Sequence, residues 1–136
     1  MFGVIRLWEI ETGRLLSTFS AHDGLVLALA FSPQREVLAS GGSDTLVRMW
    51  NLDSKHLLSI LRGHTDSVNA LAFSGDGELL VSGGRDNYIQ LWDVDDGNPM
   101  SIFPVQEGVI RELAFSPDGE KLICATQDGS LLVRER

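Results

Sequence analysis

The chain has 136 residues, 43% of them hydrophobic and 22% charged, which is enough apolar material to bury one domain's core and excludes a disordered polypeptide. Eleven Lys and Arg against nineteen Asp and Glu give a net charge of -8, which sets the chain against nucleic acid and against anionic membrane surfaces as partners. No apolar run approaches the roughly 20 residues of a spanning helix, Met1 to Arg6 lacks the layout of a signal peptide, and the one cysteine, Cys124, has no internal disulfide partner, so a reducing, cytoplasmic setting is expected.

From the N-terminus, Gly3 to Trp8 and Leu15-Leu16-Ser17-Thr18-Phe19 predict two short strands. Leu25 to Phe31 is almost continuously apolar, as expected of a strand covered on both faces. A turn at Ser32-Pro33 leads to Val37-Leu38-Ala39-Ser40, then a Gly-rich turn, then Leu46 to Trp50, which alternates like a half-buried strand. Asp53-Ser54 turns the chain into an outer strand, Leu57 to Leu61. The same order of elements then returns through Val68 to Phe73 and once more through Ile110 to Phe115, with no helical periodicity anywhere.

The return is a repeat in strict register. His22 and His64 are 42 residues apart, as are Ser40 and Ser82, Asp44 and Asp86, Trp50 and Trp92, and Trp8 and Trp50. The run Leu29-Ala30-Phe31-Ser32 recurs as Leu71-Ala72-Phe73-Ser74 and as Leu113-Ala114-Phe115-Ser116. Gly63-His64, Val81-Ser82-Gly83-Gly84-Arg85-Asp86 and Leu91-Trp92-Asp93 resemble the WD-repeat signature, whose repeats run ~40–45 residues with four strands per blade. The resemblance covers essentially the whole chain. It implies an all-β fold of WD-repeat β-propeller blades, each of four antiparallel strands. The repeats are expected at about 1–20 (two strands), 21–62, 63–104 and 105–136 (three strands). A fold of this kind serves many unrelated roles, so it implies a non-catalytic scaffold for protein–protein interaction without naming the partner.

His22, Ser40 and Asp44, repeated as His64, Ser82 and Asp86, invite a hydrolase reading. The resemblance implies instead that each set joins Trp50 or Trp92 in a structural tetrad. The chemistry suits that role: an indole N–H donates, a hydroxyl donates and accepts, and a carboxylate accepts, so a chain from Trp through Ser and His to Asp satisfies every member. No acid, base or nucleophile stands outside the repeat pattern. The third repeat carries Gln106, Cys124 and Arg134 in place of His, Ser and Trp, and keeps only Asp128, so its blade is expected to be the softest, with Cys124 a small buried filler. His22, His56 and His64 lack metal-ligand spacing, no phosphate-cradling loop opens a helix, and no cofactor is expected.

Three repeats of 42 leave ten residues over, so 127–136 is a second copy of 1–10. Propellers close with about four to eight blades, and an open arc leaves strand edges and apolar flanks uncovered. Three completions are expected to compete: a homodimer of six blades, a homotrimer of nine, or a larger propeller of which this chain is the C-terminal part. In a homo-oligomer the strand bearing Trp8 should keep its place, because Trp8 is a better core residue than Arg134. Leu15, Leu16 and Phe19 would then complete a neighbour's last blade, and Asp128 would sit near a neighbour's Trp8, since Phe2 holds the Asp position in the first copy. A self-assembling fragment with no dedicated ligand is the alternative to a scaffold. For a scaffold, the loop face implied by the family would present Asp23, Leu25, Ser43, Thr65, Asp66, Ser67, Arg85, Glu107, Val109 and Gln127, with Asn69 and Arg111 nearer the channel. Arg85 and Arg111 are the expected anchors.

Overall fold

The structure is a computed structural model that describes residues 3–106, 108–129 and 131–135. Every regular element among them is a β-strand. Strands β1 (Gly3–Trp8) and β2 (Leu15–His22) form a two-stranded sheet. Strands β3 (Val26–Phe31), β4 (Val37–Gly42), β5 (Val47–Asn51) and β6 (Leu57–Leu61) form a four-stranded antiparallel blade in chain order. A second blade follows from β7 (Val68–Phe73), β8 (Leu79–Gly84), β9 (Tyr88–Asp93) and β10 (Pro99–Pro104). The last sheet has three strands, β11 (Ile110–Phe115), β12 (Lys121–Thr126) and β13 (Leu131–Glu135). The fold is all-β and propeller-like, with the sheets following one another in an unclosed series.

The turns repeat as faithfully as the strands. Positions 13, 55 and 97 all adopt left-handed backbone, at φ 71°, 64° and 71°. Each N–H there closes a turn onto the residue that follows a tryptophan: Gly13 to the Glu9 carbonyl, Lys55 to Asn51 and Gly97 to Asp93. The Asn51 and Asp93 side chains accept two further backbone N–H groups apiece. The residue after the tryptophan is thus a turn former, which explains why Asn serves as well as Asp.

Packing runs from blade to blade. Val37, Ala39, Val47, Met49 and Leu61 of the first complete blade close onto Val68, Leu71 and Leu80 of the second. Ala70, Val81, Ile89 and Val105 of the second close onto Ile110, Leu113, Leu122 and Cys124 of the third. The approach is close enough to need glycine: a Cβ on Gly41 would lie 2.7 Å from Val68 Cγ1. The two-stranded sheet packs through Ile5, Ala21 and Phe19 on Leu38 and Trp50.

One expectation fails here. β3 is covered on one face only, with Leu27, Leu29 and Phe31 turned outward. Leu29 is 52% exposed, whereas its equivalents Leu71 and Leu113 are 6% and 3% exposed. The difference lies in the neighbour. Leu71 and Leu113 each meet a preceding sheet that has its two inner strands, and the sheet before β3 lacks them.

Candidate interaction face and the buried polar networks

Two buried networks sit where each sheet receives the chain from the one before. Trp50 Nε1 donates to Ser40 Oγ at 3.0 Å, Ser40 Oγ lies 2.8 Å from His22 Nε2, and His22 Nδ1 lies 3.0 Å from Asp44 Oδ1. In the second blade the corresponding distances are 2.8, 2.7 and 2.8 Å through Trp92, Ser82, His64 and Asp86. The carboxylate beside Nδ1 can only accept, so in the neutral ring Nδ1 carries the proton and Nε2 accepts from the serine hydroxyl, which in turn accepts from the indole. The histidine is thereby the Nδ1–H tautomer, donating to the carboxylate. Ser40 and Ser82 are wholly buried, so neither hydroxyl has an approach open to a substrate.

Sequence reasoning missed Arg48. Its Nη1 donates to Asp44 Oδ2 at 2.9 Å and lies as close to His22 Nδ1. Burial lowers the His22 pKa below its ordinary value near 6.5, and this outweighs the pull of Asp44 in the other direction. Burial also opposes the charge on Asp44, but bonds from Arg48, the Leu46 N–H and His22 prevail and hold its pKa below normal. In the second blade Gln90 occupies the place of Arg48, buried, with its Nε2 lacking any hydrogen-bond partner among the described residues. The only sequence signal for Arg48 was its position four residues after Asp44 on a strand predicted to alternate.

The third sheet differs as its sequence implies. Cys124 is buried among apolar side chains, Gln106 is exposed, and the Thr126 hydroxyl donates to Asp128, itself exposed. The Arg134 side chain, Phe2 and Glu107 lie outside the described residues.

The loops of the expected interaction face are tied together by repeated backbone bonds: Ser43 N–H to the Leu25 carbonyl, Arg85 to Ser67 and Gln127 to Val109. The tetrad carboxylates hold the same loops, with Asp44 accepting from the Asp23 N–H and Asp86 from the Thr65 N–H, both at 3.1 Å. Asp23, Leu25, Thr65, Asp66, Arg85, Arg111 and Gln127 are exposed, and Ser43, Ser67, Asn69 and Val109 half-buried. Of these, Asn69, Arg85, Val109 and Arg111 line one cleft of about 380 Å³ together with Leu27 and Glu112. Asn69 Nδ2 donates across it to the Ile110 carbonyl at 3.3 Å, tying β7 to β11. Of the residues expected at ring closure, Trp8 is 57% exposed, Leu15 and Leu16 are exposed, and Phe19 packs on Trp50 with ring centroids 5.0 Å apart.

Four-stranded blades joined in series, each pinned by a Trp-Ser-His-Asp network, define a repeat protein of the propeller class. The family model for the WD domain, G-beta repeat, matches residues 13–51, 55–93 and 97–134, and the chain belongs to that family. Among curated proteins it is similar to the mouse periodic tryptophan protein 2 homolog, 44% identical over 43 residues, or 32% of this chain and 5% of that protein. Periodic tryptophan protein 2 of Saccharomyces cerevisiae is 42% identical over 43 residues, again 32% and 5%. Human WD repeat-containing protein 3 is 36% identical over 45 residues, 33% of this chain and 5% of that protein. Each match therefore spans about one repeat and a small fraction of a much longer relative.

Proposed function

We propose that the chain is a non-catalytic platform for protein–protein interaction, docking its partner on the loop face around Arg85 and Arg111. WD repeats generally mediate such interactions, and one observation favours this face. Arg14, Arg35 and Arg48 are each engaged by a carboxylate, of Glu9, Asp95 and Asp44 respectively, and of the arginines that have no ion pair among the described residues, Arg85 and Arg111 are the two that converge on one cleft. Arginine is enriched among the residues that carry binding energy at protein interfaces, and two of them converge here. The setting in which Cys124 stays a thiol is a reducing one, which is why the cytoplasm is proposed. The test is a quantitative pull-down comparing the wild type with Arg85→Ala/Arg111→Ala. Selective loss of a partner from the double variant, with its fold intact by circular dichroism, supports the reading. An unchanged partner set refutes it. A serine-directed fluorophosphonate probe should label neither Ser40 nor Ser82.

The exposure of Trp8 on β1 and of Leu29 and Phe31 on β3 favours a second reading, which is compatible with the first: the arc is completed by further copies of itself, two copies giving six blades or three giving nine. Leu15, Leu16 and Phe19 would then lie in the strand that finishes a neighbour's blade, and Asp128 would approach the neighbour's Trp8. Light scattering that reports a 15 kDa particle, about the mass of one chain, refutes it.

A further inference from the structure

We infer that the edge of β12 occupied by β13 is a docking site for the β1–β2 hairpin of a second copy, and that β13 is the strand that gives way. This rests on the ring-closing reading and is independent of the loop face. The case is one of register. In both complete blades a tryptophan stands opposite a leucine across the second and third strands, Leu38 with Trp50 and Leu80 with Trp92. In the three-stranded sheet the residue opposite Leu122 is Arg134. Laid on β12 in the register of the other blades, β1 puts Trp8 opposite Leu122 and restores the pair. It also puts Glu9 opposite Lys121, Leu7 opposite Ile123 and Arg6 opposite Cys124. Every resulting pair is apolar, oppositely charged or sterically ordinary.

The two ends of the arc have complementary defects. Among the described residues the last sheet has three strands, and the β1–β2 hairpin carries an outer strand, β2, already paired. The hairpin has no inner strands, and β11–β12 are inner strands. Trp8 is 57% exposed where Trp50 and Trp92 are 8% and 1% exposed. Between β1 and β3 lies a cleft of about 320 Å³ lined by Val4, Ile5, Arg6 and residues 26–29. Within the chain, β7 packs on β4 of the sheet before it, and β11 packs on β8. By the same rule the strand that should cover the outward face of β3 is a second copy's β12. One docking event therefore fills the cleft, buries Trp8 and covers Leu29 and Phe31. β13 cannot stay, because it and the incoming β1 need the same edge of β12 in the same register.

Cys124 is the only cysteine, so disulfide trapping reads the strand exchange directly. Directly opposed residues of antiparallel strands have Cα atoms about 4.5–5.5 Å apart, within disulfide range. Arg6→Cys is expected to give a covalent dimer of residues 1–136 on a non-reducing gel after oxidation with copper phenanthroline. Leu132→Cys, whose backbone lies opposite Cys124 in β13, is expected to close within one chain and hold the protein monomeric by light scattering until it is reduced. Arg6 is exposed, so the first variant leaves folding intact. A wild-type dimer whose Arg6→Cys form fails to cross-link would overturn the strand exchange while sparing the ring. A monomeric wild type, as when another blade of a longer polypeptide covers β3, would overturn both.

Discussion

Replacing Ser82 with Ala tests whether the tetrads hold the blades together. Ser82 Oγ receives the Trp92 indole proton at 2.8 Å and lies 2.7 Å from His64 Nε2. Ser82 is wholly buried and Trp92 1% exposed, so neither abandoned group reaches bulk water. The space left by one oxygen is too small for a water molecule. Each buried polar group left without a partner costs ~1–3 kcal/mol, and two of them put Ser82→Ala at about 3 kcal/mol. That is a large share of the ~5–15 kcal/mol by which a domain of this size is stable. The assay is urea unfolding at 25 °C followed by circular dichroism, run as a double-mutant cycle with Trp92→Phe. Phenylalanine removes the indole N–H, so one of the two stranded groups disappears, and the cost of Ser82→Ala in that background should fall by about 1–2 kcal/mol. Ser82→Cys, the residue found at the equivalent position 124, should fall between wild type and alanine. A cost under about 1 kcal/mol for Ser82→Ala, or an equal cost in both backgrounds, would refute the account.

Gln90→Leu should stabilise the chain by about 1 kcal/mol in the same assay, because it removes a buried amide nitrogen without a partner and puts in place the residue the next repeat carries, Leu132. Thr45 is β-branched and sits at φ 74°, where the equivalent positions hold Asn87 and Gly129. Thr45→Asn should therefore raise the melting temperature by about 4 °C, corresponding to about 1 kcal/mol of relieved backbone strain. Acid should destabilise the fold in two stages, read from urea midpoints across pH. His22 has a lowered pKa in the fold, so below about 6.5 the unfolded chain binds a proton that the native one refuses, and stability falls with falling pH. Asp44, also lowered, holds its contribution above the ordinary carboxylate range and loses it as pH drops through its folded value. His22→Gln should remove the first stage and leave the second.

The strand order was readable because the 42-residue register displays it several times over. The turn at Asp53-Ser54 and the apolar runs of β4 and β8 agree with each other before any packing is considered. The open face of β3 was not readable, since Leu27, Leu29 and Phe31 look like core residues whether or not a neighbour is present. Burial is a property of the sheet next door, and periodicity cannot report it. Arg48 escaped for a related reason: alternation assigns it an outward position on a half-buried strand, and only the fold brings Asp44 and His22 to meet it there. Gln90, in the same place, differs from Arg48 by a length that decides whether the carboxylate is reached. The interaction cleft was legible as loop positions and as the polar edge residues Asn69, Arg111 and Glu112, but Leu27 joined it only once the inner strands were side by side.

Each tetrad histidine belongs to the connection leaving one sheet and is bonded into the next. His22 ends β2 yet holds Ser40 and Asp44, and His64 follows β6 yet holds Ser82 and Asp86. The bonds therefore act as staples that make neighbouring sheets open together. Gln106, leaving β10, is exposed and makes no such bond among the described residues. In hydrogen exchange, the amides of β1 to β10 should open as one cooperative unit, and those of β11 and β12 should part from it first and independently. A repeat protein whose segments look alike would then unravel from one end, because three of the four tetrad residues are replaced there.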